Sequence, residues 1–271
     1  MKQPELIVSD LDGTLLQDNE RVSPRLRAVL SRAHRAGVPI ILATGRPQRW
    51  VHPVIEQLDF DPMCVTGNGA VVYDSSQQKI TDSFLLETEV MGCVVKQAME
   101  NIGPHIGFGV ERLVEDVFAP EHEHFAINES FNRLWPDNGE GVEEIAQLIE
   151  RPAVKLLIRD STRTASEMYA LMGDVPGAQI TYSIDVGLLE VSAEGVTKAH
   201  TLDILAARMG IDPANVIAFG DMPNDAAMLE WAGCGVAMGN AHADLKKIAN
   251  RVTASNDEDG VAVVLEEFYG K

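Results

Sequence analysis

Short apolar runs of strand length alternate along this chain with segments whose apolar positions recur every three or four residues. Leu6-Ile7-Val8 is the first such run and predicts a buried strand. Ser23-Pro24 then supplies an N-cap and a first helical residue, Leu26, Val29, Leu30 and Ala33 recur at helical spacing, and Gly37 ends the helix. A second strand is expected at Val38 to Ala43 and a third at Met63 to Thr66. Strands that alternate with helices predict an α/β fold with a mostly parallel sheet. Right-handed crossovers make such strands point the same way, so Thr44-Gly45-Arg46 and Gly67-Asn68-Gly69 arrive at the sheet end that carries Asp10.

The pattern changes from about Phe84 to about Ser192. Helix-like segments at Val90 to Met99, Val142 to Ile149 and Thr164 to Met172 are interleaved with short strands at Ile106 to Val110, Leu113 to Phe118, Val154 to Ile158 and Leu188 to Val191. Strands and helices no longer alternate regularly, and Gly103-Pro104 and Pro136-Asp137-Asn138-Gly139 are ordinary turn chemistry, so this stretch reads as an inserted α+β domain. The parallel pattern resumes with a helix at Thr197 to Met209, the turn Asp212-Pro213 and a strand at Val216 to Phe219. The expected domains are a discontinuous core, 1–83 and 193–271, and an insert, 84–192. Asn256-Asp257-Glu258-Asp259-Gly260 reads as a solvated loop before a last helix.

The chemistry concentrates where strands end. Asp10-Leu11-Asp12-Gly13-Thr14 sets two carboxylates two positions apart, after a buried strand and before a glycine turn. Asp10 can face outward as a nucleophile and Asp12 can exchange a proton with a leaving group, which suggests phosphoryl transfer. Alone, the string also fits an Asp-Gly turn closing a strand. Thr44-Gly45-Arg46 alone fits a turn, Lys198 a surface lysine, and Gly220-Asp221-Met222-Pro223-Asn224-Asp225 a capped helix N-terminus. Their joint arrival at or beside the carboxyl ends of core strands is what favours a site.

Composition narrows the partners. With 271 residues and 45% hydrophobic content the chain can bury two compact cores, and a formal charge of -19 disfavours nucleic acid and anionic membranes. Cys64, Cys93 and Cys234 show no ligand spacing and read as buried apolar residues in a reducing compartment. No signal peptide or transmembrane run is visible, so the expected location is cytoplasmic. Glu121-His122-Glu123-His124 on an extended segment puts both histidines on one side, yet the reading preferred here is a solvated loop. Trp50, Trp135 and Trp231 read as packing residues.

In order and spacing, Asp10-Leu11-Asp12-Gly13-Thr14, Thr44-Gly45-Arg46, Lys198 and Gly220-Asp221-Met222-Pro223-Asn224-Asp225 resemble the four motifs of the haloacid dehalogenase superfamily. The insert between the second and third motifs resembles the Cof-type branch, subfamily IIB, with its C2B cap. The resemblance implies a Rossmann-like core with an α+β cap that closes over substrate and sets specificity. It implies that Asp10 attacks phosphorus to form an aspartyl-phosphate, while Asp12 protonates the leaving alkoxide and then deprotonates water. If Asp10 and Asp12 lie close to Asp221 and Asp225, each like-charge contact costs about 4 kcal/mol at ~4 Å and an effective dielectric of ~20, so a hard cation is needed.

By the same resemblance, Mg²⁺ would take a carboxylate oxygen of Asp10, the backbone carbonyl of Asp12 and the carboxylate of Asp221, with Asp225 behind them orienting water or Lys198. The Thr44 hydroxyl, the Leu11 and Gly45 N–H groups, the Asn224 amide and the Lys198 ammonium would meet the phosphoryl oxygens. Arg46 either reaches substrate or holds its loop by an ion pair, and Asn68 either lines the mouth of the site or is an ordinary Asn-Gly turn. The implied activity is a Mg²⁺-dependent phosphatase acting on a small phosphomonoester, sugar phosphates first and cofactor phosphates such as flavin mononucleotide or pyridoxal phosphate next. A phosphomutase and a catalytically silent phosphometabolite-binding regulator are the alternatives.

Overall fold

The structure is a computed structural model and describes residues 2–116, 119–134, 141–182 and 186–270. It divides into two compact units, Met1–Asp82 with Thr197–Lys271, and Ser83–Val196. The sequence expectation sets these breaks after residues 83 and 192.

The strands are, in chain order, β1 (Leu6–Ser9), β2 (Ile40–Ala43), β3 (Met63–Thr66), β4 (Val71–Asp74), β5 (Lys79–Ser83), β6 (Gly107–Glu111), β7 (Phe125–Ile127), β8 (Lys155–Arg159), β9 (Ala178–Thr181), β10 (Leu188–Ala193), β11 (Val216–Gly220), β12 (Cys234–Ala237) and β13 (Arg251–Val252). An eight-stranded sheet runs in the order β13-β12-β11-β1-β2-β3-β4-β5. From β13 to β3 the neighbours pair in parallel, with Ile7 opposite both Ile217 and Ile40. Every residue of β1, β2 and β11 is buried, as expected of strands covered on both faces. The helix Pro24–Arg35 starts at Ser23, whose Oγ accepts the Leu26 N–H at 3.0 Å. β4 returns antiparallel to β3 after the Gly67–Gly69 turn, a hairpin absent from the sequence expectation.

The second unit is built on an antiparallel sheet in the order β7-β6-β8-β10-β9. Alternate residues Phe108, Val110, Leu156, Ile158, Leu189 and Val191 form one core with Met91, Val94 and Ala98 of the helix Thr88–Asn101 and Met168 and Met172 of the helix Ala165–Met172. The opposite face mixes glycine, leucine and polar side chains, including Glu111, Arg159, Ser192 and the paired Lys155 and Glu190. This is the one-face-apolar alternation of an antiparallel sheet. Thr164 and Glu167 close a capping box at the start of the second helix.

Several expectations are corrected. No strand forms at 113–116, and residues 117–118 lie outside the described residues. The helix expected at Val142 to Ile149 shrinks to Ile145–Leu148, because Val142 instead bridges Ile127. Glu121–His124 is a helical turn with His124 buried, so its histidines do not share one side of an extended segment. Cys64 is buried, with its thiol pushed up to about 12 by desolvation, but Cys93 is exposed. Trp50 is 53% exposed rather than packed, Trp231 donates to Asp203, and Trp135 and Pro136-Asp137-Asn138-Gly139 lie outside the described residues.

The loop before the last helix is also reassigned. Asn256 is buried and its Nδ2 donates to the Leu16 carbonyl and to Asp18 Oδ1, both at 3.0 Å. Asp257 Oδ1 accepts the Asp18 N–H at 3.0 Å. What reads as solvated polarity is a strap across the segment that follows Asp10 and Asp12, using polar side chains to satisfy that segment's backbone. Among the described residues, no helix is long and apolar enough to cross a membrane.

Candidate active site

Asp10 sits where β1 ends, its N–H donating to the Phe219 carbonyl of β11 at 3.0 Å. The chain then winds tightly, with the Leu15 N–H on the Asp10 carbonyl at 3.2 Å and the Leu16 N–H on the Leu11 carbonyl at 2.8 Å. Gly13 makes this winding possible: its φ is +72°, and a Cβ there would lie 2.4 Å from Asp221 Oδ2. Two side chains pin the turn from outside. Thr14 Oγ1 donates to Asp221 Oδ1 at 3.0 Å, and Asn240 Nδ2 donates to the Gly13 carbonyl at 2.8 Å.

Lys198 comes from the start of the helix Lys198–Met209, capped by Thr197, which accepts the His200 N–H at 3.1 Å. That helix start is fixed against the turn after β3. Thr201 Oγ1 donates to the Gly69 carbonyl at 2.6 Å, and a Cβ on Gly69 would fall 2.3 Å from the Thr197 carbonyl oxygen, so only glycine permits the approach. The result is a lysine 1% exposed whose Nζ donates to Asp10 Oδ1 at 2.6 Å and to Asp225 Oδ1 at 2.7 Å. Asp225 uses its other oxygen to accept the Asp221 and Met222 N–H groups, each at 3.0 Å. Both oxygens of Asp225 therefore serve to orient Lys198 and the turn that carries Asp221.

One ammonium faces three carboxylates here. Ligand oxygens of Asp10, Asp221 and Asp225 all lie within 4.8 Å of one another, and all three residues are buried. Burial lifts the Asp10 carboxyl well above its usual range; Lys198 opposes this, and the neighbouring Asp225 and Asp221 add to it. Burial, then Asp225, pushes Asp221 up to about 7 against the pull of Thr14 and Lys198. Burial would lower the Lys198 ammonium, but Asp10 and Asp225 together raise it above its ordinary value. These shifts describe a buried, all-oxygen donor set with more negative charge than its own cation balances. Such a set fits a hard divalent ion, which takes carboxylate and carbonyl oxygens.

The Asp221 shift has a definite sign for stability. Between the ordinary carboxylate value of 3.8 and about 7, the folded, metal-free chain keeps a proton that the unfolded chain has lost. Stability contributed at this position therefore falls as pH rises through that window and levels off above it. In EDTA, Asp221→Asn is expected to stabilise the protein by about 2–4 kcal/mol at pH 8 and by almost nothing near pH 4. Urea unfolding at the two pH values checks this, and an equal effect at both contradicts it.

The remaining sequence-selected residues fall around this centre. Thr44 follows β2, and its Oγ1 accepts the Arg46 N–H at 3.0 Å, leaving the hydroxyl hydrogen to be donated elsewhere. Asn68 adopts the left-handed conformation at φ +58°, with its N–H on the Thr44 carbonyl at 3.0 Å. Its Oδ1 accepts from Asn224 Nδ2 at 3.1 Å and lies 3.0 Å from where a Cβ on Gly45 would be. Asn68 thus joins the β2 loop through its backbone N–H and the β11 loop through its side chain. Asn224 Oδ1 is buried and has no partner among the described residues. Arg46 Nε donates to Asp12 Oδ2 at 2.8 Å and its Nη2 to Asp12 Oδ1 at 2.5 Å. Leu11 lies buried in the same turn as Asp12.

Thr14, Asn240 and Asn256 brace the turn between Asp10 and Asp18 without a role in the sequence expectation. Thr14 is the residue of the three that lies within a motif, at the end of Asp10-Leu11-Asp12-Gly13-Thr14. Asn240 and Asn256 carry no local signal, because their partners lie 227 and 240 residues away.

A family model for haloacid dehalogenase-like hydrolases matches residues 7–265. The 5-amino-6-(5-phospho-D-ribitylamino)uracil phosphatase YitU of Bacillus subtilis (strain 168) is 31% identical over 98% of this chain and 98% of its own length. The pyridoxal phosphate phosphatase YbhA of Escherichia coli (strain K12) is 29% identical over 95% of this chain and 96% of its own. Among solved structures, a phosphatase of the haloalkanoate (HAD) enzyme superfamily from Bacteroides thetaiotaomicron shares the fold with a TM-score of 0.81. That match covers 98% of this chain and 95% of that one, at 23% identity. The chain belongs to the haloacid dehalogenase-like hydrolases. Within that family it is an enzyme of the phosphatase group.

Proposed function

We propose that this chain is a cytoplasmic, Mg²⁺-dependent phosphatase that hydrolyses a small phosphomonoester through a phosphoryl group carried on Asp10. The observation that supports it most is the buried trio Asp10, Asp221 and Asp225 with Lys198 set between two of them at 2.6 and 2.7 Å. Mg²⁺ would be held by Asp10, the Asp12 carbonyl and Asp221, where it would supply charge neutralisation for the phosphoryl oxygens.

The chain's own residues divide the work. An Asp10 carboxylate oxygen forms a bond to phosphorus as the ester P–O bond breaks, and Asp12 gives its proton to the departing alkoxide. Water then attacks the same phosphorus, Asp12 takes its proton, and the bond from Asp10 to phosphorus breaks to regenerate the carboxylate. Lys198 has two of its three N–H donors on carboxylates and a third to give to a phosphoryl oxygen. The Thr44 hydroxyl, the Leu11 and Gly45 N–H groups and the second N–H of Asn224 complete the donor set, fixed before substrate arrives. The 83–196 unit is the C2B-type cap of this reading, an antiparallel sheet with helices against one face.

For the substrate, the named relatives act on 5-amino-6-(5-phospho-D-ribitylamino)uracil and on pyridoxal phosphate, phosphomonoesters of molecules that contain a nitrogen heterocycle. We place such cofactor-type phosphates beside the sugar phosphates as the class to test. The assay is phosphate release across sugar phosphates, pyridoxal phosphate, flavin mononucleotide and ribitylamino-pyrimidine phosphates, in Mg²⁺ and in EDTA. Release in Mg²⁺ that EDTA abolishes is expected. No release from any ester in Mg²⁺ overturns the reading in favour of a binding protein, and isomerised phosphoester without free phosphate would make the chain a mutase.

A further inference from the structure

Arg46 is anchored at its backbone before its side chain is considered. Its N–H donates to Thr44 Oγ1 at 3.0 Å and its carbonyl accepts the Gly67 N–H at 2.9 Å, so the residue is fixed between the loops after β2 and β3. From that base the guanidinium reaches across 34 positions of sequence to grip both oxygens of Asp12. Its Nη2 also lies 3.8 Å from Glu20 Oε1. The Arg46 side chain is 17% exposed, whereas those of Asp12 and Glu20 are 56% and 77% exposed. Among the described residues, Asp12 has no other side-chain hydrogen bond. An exposed carboxylate on a glycine turn would otherwise rotate freely about its χ angles.

We propose that Arg46 is a positioning residue for Asp12: its planar fork fixes the carboxylate orientation through which Asp12 passes the proton, and it is not a ligand of the phosphoryl group. This rests on the phosphatase reading above. The two parallel N–H···O bonds fix the carboxylate plane, which a single point charge cannot do. Each Asp12 oxygen keeps a second lone pair beyond the fork, and one of these exchanges the proton with the leaving alkoxide or with water. Arg46 acts on the proton-transfer geometry alone, so its importance scales with how badly the leaving group needs a proton.

The test compares kcat/KM for an alkyl phosphomonoester and for p-nitrophenyl phosphate, in the unaltered chain, Arg46→Gln and Arg46→Lys. An alkoxide needs the proton, while p-nitrophenolate departs without it. Arg46→Gln and Arg46→Lys are both expected to lose on the order of 10²-fold on the alkyl ester, as for an acid–base group displaced by about an ångström, and under about 10-fold on p-nitrophenyl phosphate. In an Asp12→Asn background, Arg46→Gln should cause no further loss on the alkyl ester. Equal losses on the two esters would assign Arg46 to phosphoryl binding and overturn the proposal, as would full rescue by lysine. Arg46→Lys keeps the charge and carries the comparison if Arg46→Gln folds poorly. If the unaltered chain releases no phosphate from either ester, it is the phosphatase reading that has failed.

Discussion

Asp10→Asn is expected to remove phosphate release almost entirely, lowering kcat by at least about 10⁴-fold, while the protein stays folded. An amide cannot form the bond to phosphorus, yet its oxygen still accepts the hydrogen bond that Lys198 Nζ makes at 2.6 Å. The substitution also removes one of three crowded carboxylates whose mutual repulsion, with burial, lifts Asp10 and Asp221. Stability in EDTA should therefore be unchanged or higher than in the unaltered chain. Loss of activity accompanied by unfolding would instead make Asp10 a structural residue. Activity within tenfold of the unaltered chain would exclude it as nucleophile.

The second large effect is on folding. Lys198→Met leaves Asp10 and Asp225 facing each other, almost without solvent and without their ammonium. Removing one partner from a buried ion network costs about 3–5 kcal/mol, because the remaining charge has neither water nor counterion. For a chain of this size that corresponds to a fall of about 10 °C in Tm. The loss in EDTA should be larger at pH 8 than at pH 5, because burial, with Asp225 and Asp221 beside it, lifts the Asp10 carboxyl well above its usual range and the repulsion left by the missing ammonium eases as pH falls. Thermal unfolding at both pH values measures it. A shift under about 1 kcal/mol at pH 8 would mean that water enters the cluster and that Lys198 is not its main cation.

Which features could be read from sequence follows from how local their causes are. β1, β2, β3 and β11 announce themselves because strands covered on both faces must be apolar throughout, and their loops carry the reactive residues by the geometry of a parallel sheet. β13 is two residues long, and β5 alternates exposed and half-buried side chains in Lys79-Ile80-Thr81-Asp82-Ser83, so neither has an apolar pattern to find. Each is an edge strand of the sheet, β5 beside β4 and β13 beside β12, placed by its partner and not by its own side chains. The same holds for the strap at Asn256, whose polar side chains look solvated until their backbone partners at Leu16 and Asp18 are placed.

The site divides along the same line. Asp10, Lys198, Asp221 and Asp225 are recognisable because residue type and order are enough to suggest the chemistry. Arg46 is not: the sequence allows either substrate or an ion pair, and the ion pair to Asp12 becomes visible only in the folded chain. Thr14 shows the converse case, a residue inside the motif whose contact with Asp221 explains why the turn after Asp10 keeps its shape.

The central claim is that phosphorus is transiently bonded to Asp10. Acid-quenching the enzyme during turnover of a ³²P-labelled phosphomonoester in Mg²⁺, then digesting and mapping the label, tests this directly. A hydroxylamine-labile label is expected on the peptide that contains Asp10, and none in Asp10→Asn. Label on another residue, or phosphate release by Asp10→Asn at the rate of the unaltered chain, would contradict it.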